Sequence, residues 1–201
     1  MSDHEHTFAN PSPTGLAALG LAALGLACVC LWAMFTGKVT PGQAAPAMAF
    51  WMVGGGIIQI SVGIMELRNG VFKSGNVMLL FGAFFMATGC LSMFGKYMLA
   101  QHGMPVDARI EGYAWLCCAA VLIGWTPGYF KQTPLFLAII VVLVDVALLV
   151  IGLVDIAVMG KSWLGLAGWT LGISGLLSIY LSVAIFTNTA LGRVVYPIKM
   201  L

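Results

Sequence analysis

The sequence predicts an all-α integral membrane protein with six transmembrane helices. Three observations carry that expectation. Of 201 residues, 61% are hydrophobic and only 8% are charged, against about 25% charged in an ordinary soluble domain. The apolar residues are gathered into runs of about 20, the length at which an α-helix crosses a bilayer. Between the runs lie short clusters of Gly, Pro, Asn and the few charges, which are helix punctuation. The length accommodates one domain: a loose tail over residues 1–9, a six-helix transmembrane domain over 10–192, and a short tail over 193–201.

Residues 1–9 hold two acids and the pair His4 and His6. Alternate histidines on a loose segment are poorly preorganised, so no metal site is expected there. The segment NPSPTGL, Asn10 to Leu16, ends the tail. Two prolines two residues apart cannot sit in a helix interior, so the segment is a stiff entry that Asn10 or Ser12 can cap. No basic segment precedes the first apolar run, so that span is expected to be retained rather than cleaved.

The first span is expected over about residues 14–36, with Gly15, Ala18, Ala22 and Gly25 on one small-residue stripe suited to close helix approach. The second, about 47–66, places Gln59, Gly63 and Glu66 at i, i+4 and i+7 on one inward face. A polar turn holding Arg68, Asn69, Gly70 and Lys73 leads to the third, about 74–96, with an aromatic cluster at Phe81, Phe84 and Phe85. The longest connection carries His102, Pro105, Asp107 and Arg109. The fourth span, about 111–127, ends in WTPGYFKQTP, an interfacial aromatic and proline turn. The fifth, about 134–158, is nearly all Ile, Val and Leu apart from Asp145 and Asp155. The sixth, about 164–187, carries a second glycine stripe at Gly165, Gly168, Gly172 and Gly175.

Charge and cysteine usage exclude other classes. The nine basic residues are scattered singly and the net charge is +2, so no nucleic-acid partner is expected. The five cysteines fall within apolar runs and read as small hydrophobes. No phosphate-binding loop, dinucleotide signature or pair of facing histidines is present, which gives no support to an enzyme, a primary pump, a haem protein or any other cofactor. With an even number of spans both termini share a side. That side collects Arg68, Lys73, Lys131, Arg193 and Lys199 against Lys38, Lys96, Arg109 and Lys161, which favours cytoplasmic termini.

An ionisable group inside a bilayer is expensive, so Asp145 and Glu66 are the first candidates for proton coupling. Each has a structural alternative. Asp145 fits an acid hydrogen-bonded to a neighbouring helix, and Glu66 fits an end-of-helix ion pair with Arg68. Gln59 suits either a path for a small polar solute or an interhelical hydrogen bond. An anion path should offer NH donors and helix N-termini in place of fixed negative charge. The start of the first helix and the backbone of Gly54, Gly55 and Gly56 are expected to supply them.

Four blocks carry a family resemblance. NPSPTGL resembles the NPAPLGL signature of the acetate uptake transporter family, which includes bacterial succinate/acetate permeases and yeast ammonia/acetate export proteins. GGGIIQISVGIMELRNGVF resembles its second-helix segment and FGAFF its third. GW, GI, G and IYL, followed by GRVVYPI, resemble its last helix and tail. The resemblance implies a hexamer of six-helix protomers, a path through each, and proton-linked movement of small carboxylates such as acetate or succinate. It places Asn10, Pro11, Pro13, Gly15 and Leu16 at the path entrance and Phe81 in a hydrophobic constriction, with Gln59 and Glu66 matching the second-helix pattern. The sequence departs from the family at Thr14, where Leu is usual, at Phe81, which lacks the frequent tyrosine hydroxyl, and at Asp145.

The expected function is therefore a permease or channel for small carboxylates in the plasma or inner membrane. Two alternatives stand beside it: a six-helix channel for urea, amides or ammonia, and a non-transporting membrane sensor or assembly factor. A buried anionic Asp145 would repel acetate, so this residue is protonated, turned away from the path, or a mark of another solute.

Overall fold

The computed structural model describes residues 15–131 and 133–201. Among the described residues six helices are long and apolar enough to cross a membrane, as the sequence predicts. They are α1 (Ala17–Phe35), α2 (Pro41–Arg68), α3 (Phe72–Gln101), α4 (Arg109–Trp125), α5 (Leu135–Asp155) and α6 (Leu164–Leu191). Two ends differ from expectation because local chemistry extends them. Pro41 at the first turn of α2 costs no intrahelical bond, so that helix begins six residues earlier than its apolar run suggests. The third helix continues past Lys96 to Gln101, because a polar turn of helix protruding from lipid keeps its backbone bonds.

Several helices stop by the same device. At the end of α1, Gly37 takes φ +71 and the Lys38 amide donates to the Ala33 carbonyl at 2.8 Å. At the end of α2, Gly70 takes φ +75 and Val71 donates to Glu66 O at 2.9 Å. Only glycine enters this left-handed turn freely, which makes both stops sharp.

The helices form a ring in chain order. Each packs on the next from α1 to α3 and from α4 to α6, and α6 returns to α1. Glycine lets three of these pairs approach to backbone distance. A Cβ on Gly175 would lie 2.8 Å from Val29 Cγ2 and 3.0 Å from the Gly25 carbonyl, and one on Gly172 would lie 2.7 Å from Trp32 Cδ1. Gly63 and Gly75 serve the α2–α3 pair, and Gly112 and Gly152 the α4–α5 pair. The glycine stripe of α6 therefore meets α1 of the same chain, and Ser182 Oγ donates to Ala18 O at 2.6 Å across that seam. Gly165, the first glycine of the stripe, faces open space.

The junction between α3 and α4 is made by side chains. Phe85 stacks edgewise on Trp115 with centroids 6.0 Å apart, Lys96 pairs with Glu111, and Tyr129 donates to the Lys73 carbonyl at 2.9 Å. This looser seam leaves space inside the ring.

The short C-terminal segment is folded back onto the helices. Asn188, fully buried, accepts from the amides of Val195 and Tyr196 at 2.8 and 3.0 Å and donates to Tyr196 O at 2.7 Å. Leu135 N donates to Lys199 O at 2.8 Å, so the segment closes over the start of α5.

Replacing Gly175 by Leu is expected to force α1 and α6 apart and cost at least ~1–3 kcal/mol by overpacking. Gly165→Leu on the same helix is expected to leave stability unchanged. Thermal melts of the two detergent-solubilised variants check the contrast.

Candidate functional site: a one-ended vestibule and an aromatic neck

The ring encloses a cavity of about 570 Å³ that opens on the face away from the termini. Its wall is built from the ends of all six helices, including Leu31 and Phe35 of α1, Gln43 of α2, Tyr97 of α3 and Leu164 of α6. Its floor is apolar and lies at Met52, Phe85 and Trp115. A second cavity of about 210 Å³ lies between α1 and α2 and is lined by Leu19, Ala23, Trp51, Gly55 and Met86. Met52, an unbranched thioether side chain, lines both spaces.

A π-helical turn shapes the floor. Residues Phe81–Thr88 of α3 are π-helical, and Thr88 Oγ1 donates to Ala83 O, five residues back, at 3.0 Å. Such turns gather at functional sites because they reposition side chains within a continuous helix. Here Phe81 and Phe85 are buried, with ring centroids 5.7 Å apart and planes at 81°. Phe84 points outward and is exposed, so the aromatic cluster expected from spacing is a pair plus an outlier. Periodicity of 3.6 residues could not show this, because the local period is longer.

Gln59 sits at the level of Phe81. A Cβ on Gly82 would come within 3.0 Å of Gln59 Cβ. The Gln59 amide nitrogen donates to Gly20 O of α1 at 3.1 Å, while Oε1 is buried and has no hydrogen-bond partner among the described residues. The donor half of this side chain is interhelical glue, and the acceptor half remains available. Gly54, Gly55 and Gly56 do not serve as anion donors: they lie inside α2, where their amides are committed to the helix ladder. Gly55 instead accommodates Met86, whose sulfur would lie 2.5 Å from a Cβ there.

Glu66 is fully buried near the opposite end of α2, while Arg68 is exposed. Positions two apart on a helix face different sides, so the expected ion pair between them does not form. Of the signature segment, Asn10, Pro11, Pro13 and Thr14 lie outside the described residues, as do His4 and His6. Gly15 and Leu16 stand at the foot of α1, Gly15 with φ +69 beside Thr189 of α6. No group of three metal-binding side chains occurs among the described residues.

Asp145 lies midway along α5, buried against α4, and is not joined to Gln59 or Phe81. Its Oδ2 lies 2.6 Å from Thr126 Oγ1, which also lies 2.9 Å from Leu122 O. The Thr126 hydroxyl donates to the carboxyl oxygen and shares its proton with the Leu122 carbonyl one turn back. A neutral acid avoids the cost of an ion away from water.

Sequence reasoning missed the charges of the vestibule. Lys96 of α3 pairs with Glu111 of α4, and Asp155 of α5 lines the same cavity. A signal existed: these residues end or begin three successive spans, and alternation puts those ends on one face. Outside the cavity, Arg109 holds Asp107 through bonds of 2.9 and 2.6 Å and keeps its carboxyl at about 2, below the usual range. That contribution is present above the ordinary carboxylate value and is lost as pH falls through about 2. For so exposed a pair it is small.

Six apolar helices closed into a ring around a one-ended cavity define a polytopic membrane protein with an internal vestibule. The sequence profile of the GPR1/FUN34/yaaH family matches residues 1–200, and the chain belongs to that family. Its fold is similar to that of the bacterial acetate channel SatP, with a TM-score of 0.75 and 24% sequence identity over 95% of this chain and 99% of that one. No curated protein matches the chain significantly.

Asp145→Asn is expected to keep the wild-type melting temperature, since the amide oxygen still accepts from Thr126. Asp145→Ala, which removes that acceptor and opens a void, is expected to lose about 1–3 kcal/mol. Chemical denaturation in detergent measures both.

Proposed function

We propose that this protein is a channel or permease for acetate and related small carboxylates, succinate among them, with movement linked to protons. The observation that carries the reading is the vestibule ending on an apolar floor at Met52, Phe85 and Trp115, with Phe81 stacked on Phe85. Such a neck admits a small solute and strips its water. A carboxylate crosses an apolar neck at far lower cost as the neutral acid than as the ion, which is the physical reason for linking the two. Family membership and the fold shared with an acetate channel support the solute class.

In this reading the solute enters the vestibule, passes Met52 and the Phe81–Phe85 pair, and meets the free acceptor of Gln59. It leaves by a mouth formed by Asn10, Pro11, Pro13, Gly15 and Leu16. Glu66 lies buried towards that mouth and is the candidate proton carrier. Asp145, bonded to Thr126 and neutral in this reading because it is buried, is a structural acid that leaves the anion unopposed. The protein would act as a homo-hexamer with a path in each protomer, in the plasma or inner membrane. In this reading both termini are cytoplasmic, by the balance of basic residues between the two faces, and the vestibule faces outward.

Purified protein in liposomes should take up labelled acetate saturably, and faster with an inward proton gradient. Phe81→Ala is expected to raise that flux several-fold. Uptake of urea in place of acetate, or no gradient-stimulated uptake, would overturn the reading.

A further inference from the structure

The vestibule wall carries three charged side chains that the path just described does not use. Lys96, Glu111 and Asp155 come from α3, α4 and α5 and line one cavity. Lys96 and Glu111 form an ion pair across the loose α3–α4 seam. Asp155 is fixed at the end of α5, where the bare Gly112 lets its Cβ approach α4: a Cβ on Gly112 would lie 2.8 Å from it. The field at Asp155 comes from Lys96, which attracts, and Glu111, which repels. Tyr97 on α3 is the other titratable group of the lining; α1, α2 and α6 contribute none.

We propose that Lys96, Glu111 and Asp155 form a proton-operated docking site for a small carboxylate at the mouth of the path. The proposal rests on the carboxylate reading above and adds the group that binds the anion and the groups that admit it. With all three ionised, one positive and two negative charges leave the wall at a net charge of −1. A cavity with low-dielectric walls focuses that field and keeps anions out. Among the described residues Lys96 is the lining's one cation, and Glu111 occupies it.

One proton from water at the open face changes both facts when it is added to Glu111: it releases the Lys96 ammonium, and the wall becomes neutral. Added to Asp155 it neutralises the wall but leaves Lys96 paired, so Glu111 is the group whose protonation opens the site. An arriving carboxylate can then dock on Lys96, and the proton returns to water or travels onward with the acid as the anion leaves. The cluster thereby ties one proton to each anion admitted. It lies at the mouth, apart from the buried Glu66 and Asp145.

Trp115 lines the same cavity and reports on it. The measurement is quenching of its fluorescence by iodide, a small anion, in detergent-solubilised protein from neutral to acid pH, with Trp115→Phe as the baseline and neutral acrylamide as the control quencher. Wild-type protein should be quenched by iodide several-fold more strongly at acid pH, and acetate should compete with iodide. The Glu111→Gln/Asp155→Asn variant should show the strong, acid-type quenching at every pH. Lys96→Gln should show weak quenching throughout, and acrylamide quenching should be the same in all. Should the double variant misfold, Glu111→Gln alone should flatten most of the pH response. The proposal is overturned if the neutralised variants keep the wild-type pH profile, if Lys96→Gln quenches like wild type, or if acetate does not compete. Intact competition without acetate uptake by liposomes would sink the transport reading and leave the docking site standing.

Discussion

The contact on which the rest of the structure depends is the close approach of α1 and α6 at Gly25 and Gly175. In lipid there is no hydrophobic force to press two helices together, because hydrocarbon surrounds them in either state. Association depends on packing and on polar groups that find partners. The two glycines bring backbones near enough for both, and Ser182 adds a bond across the seam to Ala18. Since the other helices follow in chain order, closing α6 onto α1 converts a row of hairpins into a ring. Without that closure the vestibule would have no wall on the α1 side.

The ring is uneven by construction. Three of its seams are tightened by glycine, whereas α3 meets α4 through Phe85, Trp115 and the Lys96–Glu111 pair. Side-chain seams hold helices further apart and can open at less cost than backbone seams. The cavity lies against this loose seam, and the π-helical turn of α3 places the two phenylalanines at its floor. The two deviations from regular helix packing therefore coincide with the space that a solute would use.

Polar groups within the span follow one rule, which is that each is neutral, hydrogen-bonded or in a watered cavity. Gln59 is bonded to Gly20, and Asp145 accepts from Thr126. Lys96, Glu111 and Asp155 of α3, α4 and α5 line the vestibule. This distribution keeps fixed negative charge out of the neck and leaves it at the mouth, where it can regulate entry.

The sequence by itself determined the class, the six spans, the inward face of Gln59, Gly63 and Glu66, and the family. These are properties of composition, of spacing along one helix and of motif order, which need no neighbour to be read. Only the tertiary structure decided that the α6 glycines meet α1 of the same chain, that Phe84 turns away from Phe81 and Phe85, and that Glu66 and Arg68 part. It also decided that Lys96, Glu111 and Asp155, remote in sequence, share one cavity. Each depends on the rotation of a helix about its axis and on which helix lies opposite, and a periodic pattern fixes neither when every face is apolar.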